Sequence, residues 1–310
     1  MLCSRVSNHF SGLAVLALLV SATATAAEPL WAPQPTGRIV SPPIGALTGL
    51  VKGPGRANTF WAINGSGDSA RIFAITEDGK SILPTYSKFS SYGDEPEQGK
   101  QQWQGFEVLN AKNVDWQDIS ADANYLYLAD TGNADGKRRD LGIYLISKID
   151  PTASTRSAVI QFLPVTYPEP KAPDAGSLFV DHGTPYLIGG NRGNAAAATL
   201  YRLDTRNTDQ PNLLAKIDSN AAIGAATGAG LSPDGKTLAV VTLEGLWLFE
   251  RPQNGDHWLS APAKHYAFDR SVLKQVEAVT WIDDATLLLV NQQRDLFKAR
   301  LADLPPPSQP

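Results

Sequence analysis

Residues 113–135, NVDWQDISADANYLYLADTGNAD, hold two strand-like runs around a polar turn. The stretch opens on an acidic-aromatic cluster, Asp115-Trp116-Gln117-Asp118. A short apolar-alternating run leads to Asp122-Ala123-Asn124. The run Tyr125-Leu126-Tyr127-Leu128-Ala129 follows, and Asp130 and Asn133 close it. Apolar runs of this length, bounded by Asp and Asn, are the signal of β-strands joined by a tight turn. The stretch predicts two antiparallel strands.

Weaker copies lie on both sides. The second strand recurs at 59–64 (TFWAIN), 185–191 (PYLIGGN), 237–242 (TLAVVT) and 286–291 (TLLLVN). A third strand follows each, at 71–76, 142–148, 199–204, 245–250 and 295–301. A first strand precedes each, at 46–51, 116–121, 177–181, 228–232 and 277–282. Fourth strands are fainter, at 103–109, 159–165, 213–218 and 264–268. Four-stranded repeats of about 50 to 65 residues are the signature of propeller blades. The expectation is an all-β propeller with five blades, or six if residues 81–102 hide another. Residues 37–41 (GRIVS) would supply the outer strand of the last blade and close the ring. A β-sandwich or Greek-key barrel is the competing architecture, but neither requires repeating strand triplets.

Consecutive strands of a blade run antiparallel, so the start of each first strand lies beside the end of the second. In a propeller the first strand lines the central channel. This places Asp115, Trp116, Asp118, Asp174 and Glu277 on one mouth with Asn64, Asp130, Asn133, Asn191 and Asn291. The opposite mouth receives plain hairpin turns. Carboxylates and amides gathered at a mouth suit a small polar ligand, or a hard cation bound through oxygen. Alternatively, Asp and Asn cap strand ends by bonding nearby backbone N–H groups.

The N-terminus reads as a secretory signal: Arg5, an apolar core at 13–20, and small residues at Ala24-Thr25-Ala26. The apolar core falls short of the roughly 20 residues a membrane-spanning helix needs. Domains are therefore expected as a signal peptide at 1–27, a propeller at 28–303 and a disordered Pro-rich tail at 304–310, with a periplasmic or secreted location. The single cysteine, Cys3, would leave with the signal, so no disulfide is expected to hold the domain. The formal charge of −4 and the absence of a basic run exclude nucleic acid and membrane surfaces as expected partners. Lys137-Arg138-Arg139, flanked by Asp135 and Asp140, reads as a solvated loop. Residues 86–102 read as an exposed insertion.

The motifs resemble a family of secreted bacterial β-propellers that carry NDSG, DWEDIA, DxGNN, DAEAL, TGA-x-x-SPDG and EA stretches in this order. Here they match Asn64-Gly65-Ser66-Gly67, Asp115-Trp116-Gln117-Asp118-Ile119-Ser120, Asp130-Thr131-Gly132-Asn133, Asp174-Ala175-Gly176-Ser177-Leu178, residues 227–235 and Glu277-Ala278. The resemblance implies the propeller fold and no particular reaction. More distantly the chain is similar to esterase-like phytase and lactonase propellers, which implies a hydrolase alternative. Gly65, Gln117 and Gly176 stand where the family pattern has acids, so a site built from the full acidic set would be weakened.

Other chemistry finds little support. The sequence has no G-x-S-x-G nucleophile elbow and no phosphate-cradling glycine motif. His182, His257 and His265 lack zinc-ligand spacing. Residues 131–136 resemble an EF-hand loop only until the closing Glu, where Gly142 stands. The expected function is an exported binding or scaffold protein, taking a small polar ligand, glycan or protein partner at the acidic mouth without a cofactor. The alternative is a hydrolase of phosphoesters, esters or lactones, with Ca2+ or Mg2+ held by Asp118, Asp130, Asp174 and Glu277.

Overall fold

The computed structural model describes residues 1, 30–86, 88–90, 100–190 and 197–308. The expected signal segment lies outside these residues, as do Asn191 and the acids Asp94, Glu95 and Glu97 of the insertion. The fold is an all-β propeller. Most described strands fall into three four-stranded antiparallel sheets and one longer sheet, whose two four-stranded antiparallel stretches meet edge to edge, giving five units. Their first strands are Leu47–Lys52, Asp118–Ala121, Ala175–Asp181, Ala226–Leu231 and Val276–Asp283. Each packs against the next, and the fifth returns to the first, so the inner strands form a closed ring.

The apolar runs follow from this arrangement. A strand between two neighbouring units buries both faces, so its sequence reads as nearly continuous apolar residues. In Tyr125–Asp130, Leu126 and Leu128 enter the core shared with the first unit. Tyr127 and Ala129, pointing the other way, enter the core shared with the third. Five such cores fill the five gaps between units. Each fully buried Leu, Val or Phe contributes about 1.5–3 kcal/mol, so the stability of this thiol-poor chain resides in these gaps.

Closure uses the N-terminal strand Gly37–Arg38, which pairs with Asp295–Arg300 as the outer strand of the last unit. Units one and two are also joined at their rims, where Arg156–Thr166 runs parallel to Phe106–Leu109. The described parts of residues 81–102 add only short pairings, at Ser81–Ile82 and between Phe89–Ser90 and Gln101–Gln102. The tail differs from its expected disorder. The Ser308 amide donates to the His265 carbonyl of the fourth unit at 2.7 Å and Ser308 is buried, while Leu304 packs on the core between the fourth and fifth units.

Candidate functional site

The upper mouth is built by the loops entering the first strands and leaving the second.

Asn64 and Asn291 cap strand ends. Asn64 accepts from the Ala46 amide and donates to the Pro43 carbonyl and to Asp68. Asn291, fully buried, donates to the Leu273 carbonyl and accepts from the Asp295 amide. Both residues satisfy backbone groups that the strand ends leave over.

Asp118 and Trp116 lie elsewhere than expected. Asp118 is only 1 % exposed. One carboxylate oxygen accepts from its own neighbour Ile119 at 2.8 Å. The other accepts from Leu178 at 2.8 Å and Ala229 at 3.3 Å. These amides belong to the inner strands of units two, three and four, so Asp118 stands inside the channel, below the mouth. Gly49 of the first unit closes in from another side: a Cβ there would sit 2.9 Å from the Asp118 Cα. Burial pushes the Asp118 carboxyl well above the usual range, against the pull of its three amide donors. Trp116 precedes the strand rather than lying on it. It is fully buried between units one and two, with its indole N–H on the Lys112 carbonyl. It cannot touch a ligand at the mouth.

Asp115, Asp130, Asn133 and Asp174 do come together, between units two and three. The Asp174 carboxylate accepts from the Asn133 amide at 2.7 Å, and Asn133 donates to the Ala172 carbonyl. Asp130 accepts from the Asp115 amide at 3.0 Å. Asp115 accepts from the Gln117 side chain at 2.8 Å. Gly132 permits this closeness, because a Cβ there would lie 2.1 Å from an Asp115 carboxylate oxygen. Burial raises the Asp115 pKa, and the charges of Asp174 and Asp130 raise it further. Burial likewise raises that of Asp130, while the Asp115 amide and Arg138 oppose the rise.

Arg138 is the residue that sequence reasoning missed. Lys137 and Arg139 are exposed as a solvated loop would be, but Arg138 folds back. Its guanidinium meets Asp130 at 2.9 Å, Asp140 at 3.0 Å and the Gly132 carbonyl at 2.9 Å. The only available signal was the need of a buried carboxylate for a counter-charge. Glu277 stands apart in the last inner strand, accepting from Gln275 at 2.7 Å. Among the described residues, no three His, Cys, Asp or Glu are grouped to hold a metal ion. The four carboxylates of the metal alternative are therefore not brought around one point.

The opposite, hairpin mouth is also concave. Two recesses of about 580 and 570 Å³ open there and share Ala121, Asp122, Ala123, Leu231 and Pro233. No helix among the described residues is long and apolar enough to cross a membrane.

No family model matches the chain, and no curated protein matches it. Among solved structures it is similar to a luciferin-regenerating enzyme, 11% identical, covering 88% of this chain and 76% of that one with a TM-score of 0.47. It is also similar to glutaminyl cyclase of Myxococcus xanthus, 10% identical, covering 88% of this chain and 95% of that one with a TM-score of 0.46.

Proposed function

We propose that this chain is an exported, soluble binding protein of the secreted bacterial propeller type, and that the Asp115–Asp130–Asp174–Arg138 mouth takes a small polar ligand, glycan or protein partner. One observation carries this reading over a metal-assisted hydrolase. The mouth carboxylates are engaged by backbone amides, by Gln117 and by Arg138, so they form a fixed polar network rather than a converging set of ion ligands. A calcium or magnesium site needs six or more oxygens at about 2.0–2.6 Å from one point. Asp118 sits too deep to join one, and Glu277 lies in a different unit.

Calorimetric titration of calcium, magnesium and manganese into protein purified without chelator tests the choice, together with turnover of phosphoester, ester and lactone substrates. Binding protein predicts neither tight uptake nor metal-dependent turnover. Micromolar uptake of one ion coupled to turnover, both lost in Asp174→Asn, would establish the hydrolase instead.

A further inference from the structure

The hairpin mouth carries charges that the fold does not pair. In the recess of about 570 Å³, Lys52 and Asp122 stand on the hairpin ends of units one and two. The Lys52 ammonium donates to the Ile282 carbonyl. Asp122 accepts from the amides of Asn124 and Tyr125 and from the Tyr127 hydroxyl, at 2.6, 2.8 and 2.6 Å. All of these partners are neutral. Among the described residues neither Lys52 nor Asp122 is in an ion pair, and they do not pair with each other. Asp283 feels the Lys52 charge only at longer range. Of the charged groups nearby, Arg56 pairs with Asp150 and Asp181 with Arg251, while Lys148 and Arg206 donate to the carbonyls of Ala123 and Gly183.

The same recess is also lined by half-buried Val51, Ala121 and Leu231. A concave site of this size, mostly apolar with a few placed polar groups, has the composition of a small-molecule pocket. A cation and a carboxylate held apart in one recess match a ligand that carries the opposite charges at its two ends. Charge-assisted hydrogen bonds at both ends would then fix its direction.

We infer that this recess binds a short peptide with free termini, its ammonium on Asp122, its carboxylate on Lys52, and its side chains over Val51, Ala121 and Leu231. The site lies on the mouth opposite the Arg138 cluster and does not depend on the function proposed there.

Calorimetry of the full chain with the dipeptide Ala-Leu tests it, with N-acetyl-Ala-Leu and Ala-Leu amide alongside. Ala-Leu binds, and blocking either end weakens binding by about tenfold or more. Lys52→Met removes the penalty for amidation and keeps that for acetylation. Asp122→Asn, which retains an acceptor for Asn124 and Tyr125, does the reverse, and melting curves confirm that both variants fold. Absence of binding heat from Ala-Leu overturns the inference. So does equal affinity for the blocked dipeptides, or penalties that persist unchanged in folded Lys52→Met.

Discussion

The carboxylate of Asp118 accepts a hydrogen bond at 3.3 Å from the amide of Ala229, 111 residues further along the chain. The two residues sit on inner strands that are not neighbours in the ring, so the bond crosses the channel. With the bonds from Leu178 and Ile119, one side chain ties three units at the axis. An Asp in this position is a central pin of the propeller, and its chemistry serves the fold.

Removing that pin leaves three amides unsatisfied in a site too tight for bulk water. An unmade buried hydrogen bond costs roughly 1–3 kcal/mol. Asp118→Ala is therefore expected to lose more than about 3 kcal/mol in urea unfolding. Unchanged stability would show that ordered water replaces the carboxylate.

The same burial gives stability a pH dependence. The Asp118 carboxyl is raised well above its ordinary value by desolvation. A carboxyl whose folded pKa exceeds its unfolded one adds stability that is fully present below the unfolded value, about pH 4, and is lost as pH rises through the folded value. Asp115 and Asp130, also raised by burial, act in the same direction. Asp234 acts in the opposite direction, held at about 2 by Ser232 and Lys236, so its contribution disappears only in strong acid. Melting temperatures of wild type and Asp118→Asn, compared from pH 4 upward, isolate the Asp118 contribution. Wild type should decline more steeply; parallel curves would remove Asp118 from the balance.

The repeat of strand triplets was legible because each strand buries both faces, and that requirement writes itself into local sequence. TLLLVN at 286–291 shows it as plainly as YLYLAD. The depth of the site residues was not legible. The first strand expected at 116–121 included Trp116, but the strand begins only at Asp118. Trp116 sits in the preceding loop, where the Lys112 carbonyl and a core between two units turn it inward. Arg138 was hidden for a similar reason: a Lys-Arg-Arg run looks solvated until the fold delivers a buried Asp130 beside it.

Trp116 then becomes a stability residue with a measurable signature. Emptying a fully buried Trp site costs about 3–5 kcal/mol. His257 is exposed, so His257→Ala should stay within about 0.5 kcal/mol of wild type. Chemical unfolding of Trp116→Ala and His257→Ala should separate them clearly, and equal losses would contradict the burial described here.

The Arg138–Asp130 pair allows the sharpest test of the upper mouth. Asp130 is 2 % exposed, and besides Arg138 it accepts from the amides of Asp115 at 3.0 Å and Val114 at 3.4 Å. Arg138→Met removes the nearest positive charge and leaves a buried carboxylate, a change that costs about 3–5 kcal/mol when a pair is well buried. Asp130→Asn alone is milder, because Arg138 keeps Asp140 and the Gly132 carbonyl. Once Asp130 is neutral, loss of Arg138 should matter less. The double variant is therefore expected to be more stable than the sum of the single losses implies, by about 1 kcal/mol or more. Arg138→Lys should not rescue, since one ammonium cannot reach Asp130, Asp140 and the Gly132 carbonyl with the spread of a guanidinium fork. Urea unfolding of wild type, both single variants and the double variant closes the cycle. Additivity within about 0.5 kcal/mol would mean that the backbone amides alone hold Asp130.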